Sequence, residues 1–277
     1  MRYPFPCMHP APNIIPISAP TAANVPAMLL AAGRGERMRP LTDTCPKPLL
    51  QVKGKPLMQW PMEALVRGGF EHLVINTAWL GEQVEARFSS HFAPQPPLDM
   101  HEQLSITKQP ASLSIRYSHE GLDFGGALET AGGIARALPL LGDVFWVLAG
   151  DIYAPDFVFT QSSVARFVHS DMLAHLWLVH NPEHNPRGDF GLGQGLALNL
   201  PKDGAAPLFT YSTIGLYRAA LFGPPWCDIP PGNPDGTKAA LAPLLRAAMD
   251  HGKVSAELYT GRWTDVGTPQ RLAQLNT

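Results

Sequence analysis

Between residues 27 and 50 the sequence runs A-M-L-L-A-A-G-R-G-E-R-M-R-P-L-T-D-T-C-P-K-P-L-L, an apolar segment that empties into a glycine-rich basic loop and then a lysine flanked by prolines. An apolar run feeding such a loop is how a buried strand presents backbone N–H groups to a phosphate. Gly33 and Gly35 lack a Cβ, so the chain there can take positive φ and lie close against a ligand. Arg34, Arg37, Arg39 and Lys47 can neutralise several phosphate oxygens. The combination predicts a site for a polyanion such as a nucleoside triphosphate. Met38 stands where a dinucleotide fingerprint would place its third glycine, and no G-K-[ST] follows, so neither the dinucleotide nor the P-loop pattern is met.

The rest of the chain supplies a scaffold for such a loop. Its 277 residues suffice for a full sheet between helix layers, read here as one domain over 25–277 behind a proline-rich leader at 1–24. Val25 to Ala31, Phe70 to Ile75, Leu113 to Tyr117, Val144 to Ala149 and Leu173 to Val179 read as strands. Between them, Lys55 to Gly69 reads as a helix delayed or kinked by Pro61, a short helix runs through Phe88, and another places Leu128, Ala131, Ala135 and Leu138 on one face. Residues 89 to 112 read as a long surface insertion. Phe190 to Leu200 and Leu208 to Tyr217 look like antiparallel strands about the turn Lys202-Asp203-Gly204, followed by a helix over Ala239 to Met249 and a last strand at Val254 to Tyr259. Strand, helix, strand in this order predicts an α/β fold, a mainly parallel, Rossmann-like mixed sheet flanked by helices, with right-handed crossovers.

Composition limits the classes of partner. With 21 basic and 23 acidic residues the net charge is −2, which argues against a general nucleic-acid or membrane-surface binder; the positive charge is local. Cys7, Cys45 and Cys227 form no C-x-x-C, so neither a disulfide framework nor a zinc site is indicated, and a reduced, cytoplasmic setting is expected. No apolar run approaches a membrane span, and the opening residues are too broken by proline for a signal peptide.

Chemistry on a nucleoside triphosphate needs cations and metal-holding carboxylates around the phosphates. Asp151 follows the strand ending at Ala149 and Gly150, and Asp265 lies in W-T-D-V-G-T-P; two hard carboxylates suit Mg²⁺ bridging phosphates, although a strand-end aspartate also serves as a turn or cap. Asp189, in G-D-F, is a candidate sugar contact, with a β-turn role equally open. His175, His180 and His184 read as structural, Cys45 has no acid–base partner, and Trp60, Trp79, Trp146 and Trp177 read as core.

The continuation R-M-R-P-L-T and then P-K-P-L resembles the signature of the sugar-1-phosphate nucleotidyltransferases, G-x-G-x-R-[LM]-x-P-L-T followed by P-K-P-[LM]. The likeness extends from Ala27 to Pro269. It implies nucleotide contacts from Leu30, Ala31, Ala32, Gly33, Arg34, Gly35, Asn76 and Gly132, catalytic roles for Arg37 and Lys47, and substrate contacts from Glu129, Thr130, Gly133 and Asp189. It also implies Mg²⁺ on Asp151 and Asp265, with a nucleoside triphosphate and a sugar 1-phosphate as partners and no nucleic acid or membrane. The expected assembly is a monomer or small homo-oligomer. Segments such as L-E-T-A-G-G-I and N-P-E-H-N-P-R-G-D-F resemble the branch using UTP and N-acetylmuramate 1-phosphate in cell-wall recycling. GTP with mannose 1-phosphate is the alternative, and a non-catalytic sugar-nucleotide-binding subunit is a further one.

Overall fold

Successive residues of the first strand point to opposite faces of the sheet, and both faces are covered. In the computed structural model, which describes residues 25–94 and 111–277, strand β1 (Ala27–Leu30) places Met28 in one apolar cluster and Leu29 in another. Burial on both faces is why the run is continuously apolar and does not alternate. The expected leader at 1–24 and residues 95–110 of the expected insertion lie outside the described residues.

After the glycine loop come a small hairpin, β2 (Gln51–Val52) and β3 (Lys55–Pro56), and helix α1 (Gln59–Arg67). The helix expected from Lys55 starts only at Gln59, because Lys55 and Pro56 pair with Gln51 and Val52. Pro61 falls in its first turn, where the missing N–H has no partner to lose. Then follow β4 (His72–Thr77), α2 (Gly81–Phe88), β5 (His91–Phe92), β6 (Leu113–His119), α3 (Glu120–Phe124), α4 (Glu129–Leu141) and β7 (Val144–Ala149). Part of the expected insertion is thus a strand, and α3 was too short to show a helical period.

The second half contains β8 (Ile152–Tyr153), α5 (Gln161–Val168), β9 (Ala174–Val179), β10 (Phe190–Gly193), β11 (Leu196–Leu198), β12 (Leu208–Arg218), α6 (Leu241–Asp250), β13 (Val254–Leu258), β14 (Thr264–Asp265) and α7 (Pro269–Asn276). The strand expected over 190–200 is a hairpin: Gln194 and Gly195 take φ of 52° and 77°, two positive values in a row, which fold the chain back on itself. Helix α7 also lay beyond the sequence reading. Thr268 caps it, its Oγ1 accepting from Arg271 N at 3.4 Å, with Pro269 at the first position.

Ten strands form one mixed sheet in the order β10-β11-β13-β9-β12-β7-β1-β4-β6-β5. Strands β7, β1, β4 and β6 are parallel, as is the pair β9 and β13, while β12 runs antiparallel to both β7 and β9. Helices α1, α2 and α5 cover the face of Leu29, Ile75 and Trp146; α4 and α6 cover that of Met28, Val74 and Val147. Trp146 is fully buried and stacks on Trp177 at 5.0 Å. Truncating such a side chain costs about 3–5 kcal/mol, so the sheet centre dominates stability.

From β1 the chain proceeds to β4 and β6 on one side and then to β7 on the other. The strand order therefore reverses between β1 and β7, and a crevice opens at their C-terminal ends. A third cluster of Met38, Leu50, Val52, Leu57, Tyr153 and Val266, with Leu272 and Leu275 packed on it, ties the glycine loop to β8, β14 and α7.

Candidate active site

Beyond Leu30 the chain leaves the sheet and lines a cleft of ≈ 830 Å³ with Ala31, Ala32, Gly33, Gly35 and Arg37. Gly35 takes φ 68° and ψ 39°, and a Cβ there would lie 3.1 Å from Thr42 Cγ2 and 3.2 Å from Lys47 Cβ. This is the position that requires glycine. Thr42 Oγ1 donates to Gly35 O at 2.9 Å and holds the turn. Gly33 has open space around its missing Cβ and no positive φ, so the freedom expected of it is unused.

The four cations divide into two roles. Arg34 turns away from the cleft: its guanidinium lies 3.6 Å from the Trp79 ring centroid and donates to Thr42 O at 2.7 Å and Asp43 Oδ1 at 3.2 Å. Arg39 is held by Glu36 and Asp43. These two brace the loop, and Trp79 is a half-buried platform for Arg34 instead of core. Arg37 is exposed and lines the cleft. Lys47 lines it too but is buried, its ammonium on the carboxylate of Asp151. Of the two, only Arg37 faces solvent.

Asp151 follows β7, where Gly150 approaches β1 so closely that a Cβ would meet Leu30 O at 2.9 Å. Asp265, more than a hundred positions later, arrives beside it because β14 pairs with β8: Asp265 lies opposite Ile152, and Val266 N donates to Asp151 O at 2.8 Å. Asp265 is itself engaged by Arg271 and by His184, whose Nε2 is 2.6 Å from Oδ1. His184 does not line the cleft; its contacts are with Asp265 and Arg271. Arg271 reaches Asp265 from the first turns of α7, a helix that lay beyond the sequence reading. Both are hard oxygen donors of the kind Mg²⁺ takes, with phosphate and water needed to complete the shell, but only Asp151 lines the cleft, and Asp265 sits behind it. Among the described residues no group of three or more His, Cys, Asp or Glu could hold a metal, so the protein alone offers too few ligands.

Across the cleft, Asn76 at the end of β4 accepts from Ala31 N at 2.8 Å and donates to Glu120 Oε1 at 2.6 Å; Glu120 Oε2 accepts from Leu128 N at 2.7 Å. Glu120 is fully buried, and burial raises its pKa against the opposing pull of Asn76, Leu128 and Arg136. Sequence reasoning missed it. Glu129 and Thr130 line the cleft as expected, with Glu129 at φ 60°, a strained value for a residue other than glycine. Gly132 and Gly133 do not line it. A Cβ on Gly132 would meet Thr237 O at 2.4 Å, and one on Gly133 would meet Glu120 Oε1 at 2.5 Å. Their glycines serve packing behind the wall, a correction to the ligand contacts expected of them.

The far end is lined by Asp189, Phe190, Tyr211, Leu241, Leu245 and Arg246. Asp189 borders the cleft, and its Oδ2 accepts from Tyr211 N at 3.0 Å and Asn185 Nδ2 at 3.2 Å, which fixes the turn into β10.

Residues 26–192 match the family model described as nucleotidyl transferase. The chain is 44% identical over 250 residues to the N-acetylmuramate alpha-1-phosphate uridylyltransferase of Neisseria meningitidis serogroup B, covering 90% of this chain and 95% of that one. It is 30% identical over 251 residues to the protein of the same name from Caulobacter vibrioides, covering 88% and 92%. The fold is shared with a UTP-bound UGPase from Acinetobacter baumannii, TM-score 0.65 at 17% identity, covering 91% and 92%.

Proposed function

Because the chain belongs to the nucleotidyl transferase family, we propose that it joins UTP to N-acetylmuramate 1-phosphate, yielding the nucleotide sugar and pyrophosphate. The observation that carries this reading is the convergence of Arg37, Lys47 and Asp151 on one cleft at the switch point of the sheet. The likeness to the Neisseria meningitidis enzyme supports the choice of base and sugar. The nucleoside lies against Leu30 to Gly33, Gly35 and Asn76, and the sugar toward Glu129, Thr130 and Asp189.

An oxygen of the sugar 1-phosphate attacks the α-phosphorus of the triphosphate. One P–O bond forms as the bond to the bridging oxygen of the β-phosphate breaks, and pyrophosphate leaves with the electron pair. Arg37 and Lys47 stabilise the charge that develops, which is where positioned cations contribute most. Asp151 and Asp265 would hold Mg²⁺, which when bound supplies further neutralisation of phosphate charge. The protein acts in the cytoplasm, as a monomer or small homo-oligomer; among the described residues no helix is long and apolar enough to cross a membrane.

Pyrophosphate release across four nucleoside triphosphates and a panel of sugar 1-phosphates tests the reading. UTP with N-acetylmuramate 1-phosphate is expected to be fastest. Release with no pair would overturn the proposal, and a clear preference for GTP with mannose 1-phosphate would replace its substrates.

A further inference from the structure

We propose that Glu120 is a positioning residue that sets the gap between the two backbone segments gripping the nucleoside. The inference rests on the assignment of this half of the cleft to the nucleotide. Glu120 closes a relay of hydrogen bonds, Ala31 N–H to Asn76 Oδ1, Asn76 Nδ2–H to Glu120 Oε1, and Leu128 N–H to Glu120 Oε2, at 2.8, 2.6 and 2.7 Å. The relay ties the loop after β1 to the residue before α4, and the neighbours of both ends, Ala32, Gly33, Glu129 and Thr130, line the cleft.

Three observations say that the relay is built for a carboxylate. The first is its polarity. Asn76 spends its oxygen on Ala31 N–H and so offers a donor to Glu120, while Leu128 offers a second donor, and only a group that accepts at both oxygens answers both. The second is room: Gly133 has no Cβ where one would stand 2.5 Å from Glu120 Oε1 and 3.1 Å from Asn76 Nδ2. The third is strain. Glu129 at φ 60° persists only if its neighbours over-determine it. Leu128 N is held by Glu120 on one side; on the other, Ala131 N and Gly132 N donate to Ala239 O at 2.8 and 3.1 Å, and Ala239 N donates to Leu128 O at 3.1 Å.

The substitution Glu120→Gln keeps the volume but sets an amide donor against either Asn76 or Leu128. Adding Asn76→Asp reverses the relay: the aspartate accepts from both Ala31 N and the glutamine amide, and the glutamine oxygen accepts from Leu128 N. Calorimetric titration of UTP and steady-state kinetics on the full chain compare wild type, Glu120→Gln and the double variant. Glu120→Gln is expected to weaken UTP binding and raise its KM roughly tenfold or more, as expected when a buried donor is left unpaired. The KM of the sugar 1-phosphate stays within about twofold, and the double variant recovers most of the UTP affinity. UTP affinity unchanged in a folded Glu120→Gln, equal losses for both substrates, or a folded double variant without recovery would each overturn the proposal. Should Glu120→Gln not fold, a double variant that folds and binds UTP supports it, and one that folds without binding overturns it. A wild-type protein that neither binds UTP nor releases pyrophosphate overturns the parent assignment together with this one.

Discussion

Lys47 and Asp151, 104 positions apart in the chain, form an ion pair in the cleft, with side chains 11% and 35% exposed. The cation assigned to phosphate and the carboxylate assigned to metal thus neutralise each other in the free protein. Asp265 is likewise occupied by Arg271 and His184. A triphosphate carrying its own metal offers both sides of the Lys47–Asp151 pair a new partner at once, whereas free Mg²⁺ would have to displace the ammonium unaided.

For Lys47→Ala, turnover should fall by about 10²- to 10³-fold, as when one transition-state charge stabiliser is removed. Because Asp151 is 35% exposed and water can take the place of the lost ammonium, the change should cost no more than about 1 kcal/mol of stability. Turnover beside thermal melts checks both; wild-type turnover would sink the assignment.

Arg34 and Arg37 are three positions apart and should behave differently. Arg37→Ala is expected to cut turnover by about 10²-fold or more with little effect on melting. Arg34→Ala removes the stacking on Trp79 and the bonds to Thr42 and Asp43, so it should lower the melting temperature while the chemical step slows much less. Equal turnover in the two variants would show that the division of the cations is mistaken.

Replacing Asp151 or Asp265 by Asn keeps the shape and removes the charge. The expected result is a shift of activity toward higher Mg²⁺, with metal binding measured by titration tight only when nucleotide is present. A Mg²⁺ dependence identical to wild type in either variant removes that aspartate from the metal site.

Glycines of the same segment should separate by what a methyl group meets. Gly133→Ala drives a Cβ to 2.5 Å from Glu120 Oε1 and should destabilise by about 1–3 kcal/mol. Gly33→Ala meets nothing within 4 Å and should change stability by less than about 0.5 kcal/mol. Denaturant melts of the two proteins measure the difference; equal values would contradict the packing described for Gly133.

What the sequence determined by itself is local. An apolar run, two glycines and a fixed distance to Lys47 define a strand, a tight loop and a lysine close after it within 24 residues, and Val144 to Ala149 followed by Gly150 and Asp151 defines a strand end. Each rests on backbone conformation and side-chain period, which neighbours in sequence set among themselves. Strand order and register decided the rest. Only the pairing of β14 with β8 brings Asp265 beside Asp151, and only the adjacency of β1, β4 and β6 lets Ala31, Asn76, Glu120 and Leu128 share one chain of hydrogen bonds. The same contacts bury Lys47, turn Arg34 outward and place Gly132 and Gly133 behind the wall, because whether a polar group faces ligand or protein depends on which distant segment arrives opposite it, and no local period encodes that arrival.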